Sequence, residues 1–162
     1  MSTHAMVGVE QENGTILVIY NHFDGYVEGV GSTLQESYNS LERANALVAM
    51  GDASLIGATL EASPAVSDFG FSFQFEDEFR KLPKVEQSLY VNDHYSGQYS
   101  LFYGRDRGET GTEATLYRNF AQWKSSENFD NYNYLFHDGE WWLLNSTTHE
   151  PRKLEEVLNQ YV

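Results

Sequence analysis

Strand-forming runs broken by turn signals stand out near both ends of the chain. Short β-rich runs flank Asn13-Gly14 within residues 5–20, and a second pair flanks Asp138-Gly139 within residues 132–144. Asn-Gly and Asp-Gly tolerate the positive φ angles of a tight turn, so they are strong signals for a β-hairpin between apolar runs. The sequence therefore predicts one hairpin in each of these segments.

Aromatic residues mark further predicted strands and orient the last hairpin. In residues 68–79, four phenylalanines alternate with small or polar residues, which is the period of a half-buried strand whose aromatic face packs on helices. Residues 88–91 and 99–103 are two more strand candidates. Trp141 and Trp142 are adjacent on a strand, so one ring should be buried and the other partly exposed. The four phenylalanines are Phe69, Phe71, Phe73 and Phe75.

Helical spacing of apolar residues predicts helices in three places. Residues 32–51 fit two short helices or one broken helix, 113–123 favour a helix, and 154–161 predict an amphipathic helix after Pro151. Residues 52–66 are rich in small residues and predict a long surface loop. Hairpins that mix with helices favour an antiparallel sheet. We therefore predict a single α+β domain over the whole chain, with an antiparallel sheet of about six strands and helices packed on one face.

Charge separates the two halves of the chain. Net charge is −14, and residues 1–79 contain 12 Asp and Glu but only one basic residue, Arg43. Such a surface repels phosphate backbones and anionic membranes, which argues against direct binding of nucleic acid or lipid. An acidic face keeps a protein in solution, attracts a basic partner or imitates a nucleic acid, and the charge pattern leaves these three alternatives open.

Composition limits the chemistry and the compartment. The chain has no cysteine, which excludes disulfides, thiolate metal sites and a thiol nucleophile. It has no run of about 20 apolar residues and no basic segment near its start, so we expect a cytoplasmic protein. Phosphate-binding loops, dinucleotide fingerprints and metalloprotease motifs are absent, and we expect no cofactor and no metal. These absences favour a protein that is not an enzyme, although sites assembled from distant residues leave no local motif.

A loop after the second predicted strand contains the first candidate site. His22 and Asp24 lie two residues apart beside Gly25 and Tyr26. A histidine next to a carboxylate provides a metal-ligand pair or a general base with its orienting acid. The structural alternative is that Asp24-Gly25 is a turn and His22 ends a strand. Loops carry binding and catalytic residues more often than cores do, so both interpretations stand.

Two arginines in an acidic chain form the second candidate site. Arg105 and Arg107 follow Tyr103 at the end of a predicted aromatic strand. Guanidinium groups bind phosphate and carboxylate groups in two-pronged fashion, so this segment predicts an anion site. Alternatively Asp106 or Glu109 neutralises one arginine as a structural ion pair. If the two candidate sites meet, Tyr103, Arg105 and Arg107 form one ligand pocket with His22, Asp24 and Tyr26.

Taken together, these segments resemble a family of small uncharacterised proteins encoded by tailed phages and related mobile elements. The resemblance is carried by residues 2–9 (STHAMVGV), 22–26 (HFDGY), 29–31 (GVG) and 103–109 (YGRDRGE). Phe23 and Val27 depart from the tryptophan and proline expected at those positions. The resemblance implies a viral accessory protein in a bacterial cytoplasm and supplies no catalytic residues. Accessory genes of this type often counter host defence.

Three functional hypotheses follow from the sequence. The leading one is an accessory protein that acts by binding, either sequestering a small anionic, nucleotide-like ligand or engaging a host protein. The second is a small hydrolase that uses His22 and Asp24, with Arg105 and Arg107 stabilising the transition state. The third is an acidic mimic of nucleic acid built on residues 1–79. Nothing in the sequence argues against a homo-oligomer.

Overall fold

The structure is a computed structural model, and it describes residues 2–145 and 150–160. Within these residues the chain forms a mixed α+β structure of short elements around an extended sheet. The strands are β1 (Ala5–Glu10), β2 (Ile16–Asn21), β3 (Ala53–Leu55), β4 (Leu101–Phe102), β5 (Thr115–Tyr117), β6 (Asn133–His137), β7 (Glu140–Leu144) and β8 (Arg152–Lys153). The α-helices are α1 (Ser32–Ser37), α2 (Leu41–Val48), α3 (Pro64–Phe69), α4 (Asp77–Arg80), α5 (Lys84–His94), α6 (Tyr103–Arg107), α7 (Phe120–Lys124) and α8 (Leu154–Asn159). A π-helical turn, Val27–Gly31, and a 3-10 turn, Phe73–Phe75, complete the set.

Over residues 2–145 and 150–160, the sheet has eight strands. Seven of them follow the order β4-β3-β2-β1-β6-β7-β8, and β5 pairs with β2 on the edge to which β3 is also paired. Both predicted hairpins are confirmed, because β1 pairs antiparallel with β2 and β6 with β7. The predicted α+β class is confirmed, whereas the prediction of an antiparallel sheet of about six strands is wrong. β1 runs parallel to β6, and β2 runs parallel to β3. Helices lie between the strands of each parallel pair along the chain and allow the second strand to enter in the same direction.

Helices cover both faces of the sheet, and the prediction of helices on one face is wrong. The larger face packs against α1, α2, α8 and the π-helical turn through residues such as Val7 and Tyr134. The opposite face is covered by α7, whose buried Trp123 contacts a cluster that contains Met6 and Leu135. Successive side chains of β1 point to opposite faces of the sheet, so Val7 packs in the larger layer and Met6 in the opposite one.

The predicted aromatic strand at 68–79 is wrong. Ser63 caps α3 by accepting the amide of Val66 at 3.4 Å, and α3 ends at Gly70, which has a φ of 99°. The segment after Gly70 turns instead of extending, so within the described residues it adds no strand to the sheet. The rings of Phe69 and Phe73 both pack on Phe79, at 5.6 and 5.2 Å between centroids. The alternation of phenylalanines with small or polar residues therefore occurs in the end of α3 and the 3-10 turn, and not in a strand.

Four other segments differ from the prediction. Residues 88–91 lie inside α5, because packing of α5 on α3 outweighs the β-forming composition of this run. Residues 52–66 contain β3 and buried positions instead of forming only a surface loop. In 113–123 the strand β5 precedes α7, and in 99–103 only Leu101–Phe102 is a strand before α6 begins.

The remaining local predictions are confirmed. Residues 32–51 form two helices, and Ser40 caps the second by accepting the amide of Arg43 at 3.1 Å. Trp141 is buried and Trp142 is half-buried. The C-terminal helix is present as α8, whereas Tyr161 lies outside the described residues.

In the part of the chain that the structure describes, no helix has both the length and the apolar character needed to cross a bilayer.

Candidate functional site

Arg105 is held by neighbouring groups of the protein. Its guanidinium donates two hydrogen bonds to the carboxylate of Asp106, at 2.8 and 3.0 Å. It also donates to the carbonyl oxygens of Leu60 at 2.5 Å and Ser100 at 3.4 Å. The side chain of Asp106 is only 5% exposed and accepts the amide of Phe102 at 2.8 Å as well. Most donors of Arg105 are therefore engaged, which is the geometry of structural ion pairing rather than of an open anion site.

Arg107 lies against two neighbouring aromatic rings. Its Cζ atom is 4.8 Å from the ring centroid of Phe71 and 4.8 Å from that of Tyr103. Its Nε donates to the carboxylate of Glu109 at 2.6 Å. Because the guanidinium already has a carboxylate partner, an added anion would compete with Glu109 for the same charge.

His22 belongs to a small aromatic cluster at the end of β2. Its Nδ1 is 2.7 Å from the hydroxyl of Tyr20, and its ring stacks on that of His4 at 4.8 Å between centroids. Burial lowers the pKa of His22, and the neighbouring His4 lowers it further. Within the described residues, no hydrogen bond joins His22 to Asp24. The pair proposed as base and orienting acid is thus not assembled in that form.

Tyr103 is linked to the same cluster by hydrogen bonds to Asp52. The amide of Tyr103 donates to the backbone carbonyl of Asp52 at 3.2 Å, and the amide of Tyr20 donates to the Asp52 carboxylate at 2.9 Å. Burial raises the pKa of Asp52, opposed by the hydrogen bond from Tyr20, while Glu109 and Glu113 raise it further. Burial also raises the pKa of Tyr20, with Tyr103 the next contributor. Perturbed groups thus gather on this part of the sheet.

The loop that carries Asp24 and Tyr26 is fixed by the backbone. The amide of Gly25 donates to the carbonyl of Thr3 at 2.8 Å, and the hydroxyl of Tyr134 donates to the carbonyl of Gly25 at 2.7 Å. A Cβ atom at Gly25 would lie 2.5 Å from the His4 carbonyl oxygen, so only glycine permits this approach. The backbone of this loop is therefore held in one conformation at Gly25.

A cleft of about 430 Å³ opens beside this loop. It is bounded by the end of β2, by β3 and β4, by the 3-10 turn and by the end of α5. Aromatic and aliphatic side chains dominate its wall, and among the described residues neither lysine nor arginine lines it. The lining residues are Phe23, Asp24, Ser54, Leu55, Phe71, Ser72, Phe73, Gln74, Phe75, His94, Tyr95 and Leu101.

The six predicted site residues do not line one common pocket. Asp24 lines it, and Arg107 and Tyr103 adjoin it through their contact with Phe71. His22 contacts it only through Phe23, at 4.5 Å between ring centroids. Arg105 lines a different, open depression with Glu61 and Asp106, and Tyr26 is an exposed residue that lines no part of the cleft.

His94 lies in the wall of the cleft and was missed by sequence reasoning. It is 5% exposed, and its Nδ1 is 2.7 Å from the hydroxyl oxygen of Ser63. Burial lowers the pKa of His94, and Asp106 and Asp93 oppose that shift. Tyr95 and Phe75 were missed as site residues as well. No local motif marks these residues, because α5, α3 and the 3-10 turn meet only in the folded chain.

The cleft has mostly apolar walls and few polar groups. In the part of the chain that the structure describes, no group of three or more His, Asp or Glu residues is arranged to hold a metal ion. The hydroxyl groups of Ser54 and Ser72 line the cleft, and neither is hydrogen-bonded to His94 in this structure. A pocket with apolar walls and few polar groups is the usual form of a recognition site.

Comparison with known proteins adds no relative to this description, since the chain matches no protein-family model, no curated protein and no solved structure.

Proposed function

We propose that the protein acts by binding and engages a basic protein partner, which inserts an apolar side chain into the cleft. The observation that carries this proposal is the exposure of three aromatic rings at the cleft. Phe23 is 44% exposed, Phe75 is 73% exposed and Tyr95 is 63% exposed. Clustered exposed aromatics around a concavity are typical of interaction sites.

Burial of these rings would provide the favourable free energy of association. Fully burying one large apolar side chain contributes about 1.5–3 kcal/mol. Residues that dominate binding tend to be aromatic and to lie next to pockets that exclude water. Phe75 fits this description because it remains largely exposed even with the guanidinium of Arg80 at 5.6 Å from its ring centroid.

Charge favours a basic partner. Of the residues that line the cleft, Asp24 is the acidic one, and lysine and arginine are absent from the wall. Glu76, Asp77 and Glu78 directly follow Phe75, and the whole chain has a net charge of −14. Complementary charge speeds association and selects against acidic partners.

The same geometry argues less well for a small anionic ligand. Arg105 points into its own network with Asp106, and Arg107 is paired with Glu109. Within the described residues, Asp24 is a charged residue of the cleft wall and would repel a phosphate, whereas Arg80 and Arg107 contact the rings of Phe75 and Phe71 and do not line the wall themselves. The resemblance to phage-encoded proteins favours a bacterial host protein as the partner, and interference with host defence as the purpose.

Designed pentapeptides test the proposal without knowledge of the natural partner. The probe is Ac-Lys-Lys-Phe-Lys-Lys-NH2, measured by amide chemical-shift perturbation on the isotope-labelled protein. We expect shifts concentrated at Phe23, Phe75 and Tyr95, which weaken as salt is raised. The controls replace phenylalanine with alanine or all lysines with glutamates, and both should bind at least tenfold more weakly.

Two results would overturn the proposal. One is perturbation by the basic peptide that is spread over the acidic surface and unaffected by Phe75→Ala. The other is a stronger response to adenosine monophosphate, centred on Arg107, which would establish the anionic-ligand alternative. Val85→Ala on α5 is the matched control, because it removes an equally exposed apolar side chain outside the cleft.

A further inference from the structure

The hydrogen bond between Ser63 and His94 determines which ring nitrogen His94 presents to the cleft. Ser63 is 1% exposed, and its oxygen caps α3 by accepting the amide of Val66 at 3.4 Å. Within the described residues, its other polar contact is Nδ1 of His94 at 2.7 Å. Nδ1 is therefore occupied inside the fold, which leaves Nε2 as the ring nitrogen for an occupant of the cleft.

The position of the hydrogen atom follows from the number of available acceptors. A hydroxyl group has one hydrogen to donate and two lone pairs. If Nδ1 of His94 donated to Ser63, the buried hydroxyl hydrogen would have no acceptor, and an unmade buried hydrogen bond is costly. Ser63 must therefore donate to Nδ1. Burial lowers the pKa of His94, which keeps the ring neutral near pH 7 and places its single hydrogen on Nε2.

We infer that Nε2–H of His94 is the hydrogen-bond donor that determines the specificity of the cleft, and that a fitting occupant places a neutral acceptor oxygen beside its apolar group. This inference rests on the proposed function and names the chemistry of the inserted group. A backbone carbonyl next to an aromatic side chain meets the requirement. A carboxylate would bring a second negative charge close to Asp24.

This donor gives His94 a role in a wall that is mostly apolar. Phe73 and Tyr95 pack edge-on against the His94 ring, at 5.0 and 4.7 Å between centroids, and restrict its rotation. An occupant that buries Nε2–H without an acceptor loses the hydrogen bond that this group makes to water. Discrimination between occupants then comes from this polar group, while the aromatic rings supply affinity.

The first experiment measures the tautomer directly. Long-range proton–nitrogen correlation spectra at pH 7 distinguish a protonated from an unprotonated ring nitrogen, and we expect hydrogen on Nε2 of His94. Ser63→Ala should produce a mixture of tautomers. Ser40→Ala is the matched control, because it removes the cap of α2 while leaving the His94 contact intact. A resting Nδ1–H tautomer in the unmodified protein would overturn the inference.

The second experiment uses acetophenone and ethylbenzene, which differ by a carbonyl in place of a methylene. Titrations followed at the amides of Phe23 and Tyr95 give a dissociation constant for each probe. His94→Phe keeps a ring of similar size and removes the donor. We expect the preference for acetophenone over ethylbenzene to fall about threefold to tenfold in His94→Phe, since one hydrogen bond is lost.

The outcomes separate the two proposals. An unchanged preference in His94→Phe, with both probes in the cleft, overturns the role of His94 and leaves the proposed function standing. Failure of both probes and of the basic pentapeptide to perturb the cleft overturns the proposed function, and the inferred role of His94 in choosing an occupant fails with it. In that case an Nε2–H tautomer would be a property of the α3–α5 packing alone.

Discussion

The hydroxyl of Tyr20 lies 2.7 Å from Nδ1 of His22, so the His22 ring accepts this hydrogen bond only while Nδ1 is unprotonated. The stacked ring of His4 adds a second histidine at 4.8 Å. Protonation of His22 would place a positive charge against the His4 ring and would remove the acceptor of Tyr20. The folded state therefore favours the neutral form of His22.

The folded state should lose stability in mild acid because of this cluster. The pKa of His22 is lowered, chiefly by burial and then by His4, from an unfolded value of about 6.5. The unfolded chain then binds more protons, so this stabilisation is complete above about pH 6.5 and is lost as pH falls towards the folded pKa. Urea denaturation at pH 7.5 and 5.5 measures the loss.

The variants His22→Gln and His4→Gln isolate the effect. His22→Gln should reduce the difference in stability between the two pH values, and His4→Gln should reduce it less, because burial is the larger cause. His94, whose pKa is also lowered, contributes in the same sense in all three proteins and cancels when they are compared. An equal pH difference in all three proteins would contradict the assignment.

Arg105 and Arg107 should differ in their contribution to stability. Arg105→Ala leaves the buried carboxylate of Asp106 without its partner, so we expect the free energy of unfolding to fall by about 2 kcal/mol. Arg107→Ala removes an exposed pair with Glu109 and a stacking contact, and should cost less than about 1 kcal/mol. Chemical denaturation of both variants at pH 7 checks the order. A larger loss for Arg107→Ala would contradict it.

Local signals predicted the elements whose causes are local. Gly14 takes a positive φ at the turn of the first hairpin, and Asp138 and Gly139 both do so at the turn of the second, as their residue types allow. Ser40 directly precedes α2 and caps it by accepting a hydrogen bond from the amide of Arg43, three residues further along the chain. These features need no distant partner, which is why the sequence sufficed.

The features that the sequence did not predict depend on contacts between residues that are far apart along the chain. The alternation from Phe69 to Phe75 has the period of a strand, yet Gly70 turns the chain and α5 supplies the packing partner. Parallel pairing of β1 with β6 joins segments more than a hundred residues apart. His94 enters the cleft for the same reason, since Ser63 and Phe73 hold it from two other elements.

Two buried tryptophans should respond unequally to loss of the indole nitrogen. Nε1 of Trp141 donates to the carbonyl of Tyr38 at 3.0 Å, whereas Nε1 of Trp123 is buried with no partner among the described residues. Trp141→Phe leaves a cavity and an unpaired carbonyl, and we expect a cost of about 2–4 kcal/mol. Trp123→Phe leaves a cavity but removes an unsatisfied donor, so its cost should be smaller by about 1–2 kcal/mol. Equal losses in urea denaturation would show that Nε1 of Trp123 has a partner in solution.

Phe73 and Phe75 form a pair in which structure and function should separate. Phe73 is 3% exposed and packs against Phe79 and His94, so Phe73→Ala should lower the free energy of unfolding by about 3–5 kcal/mol. Phe75 is 73% exposed, so Phe75→Ala should change it by less than about 0.5 kcal/mol. The same Phe75→Ala protein should lose binding of the basic pentapeptide by tenfold or more, because the ring would be buried only in the complex. Full affinity in Phe75→Ala, measured at unchanged stability, would remove this ring from the interface and with it the main support for partner binding at the cleft.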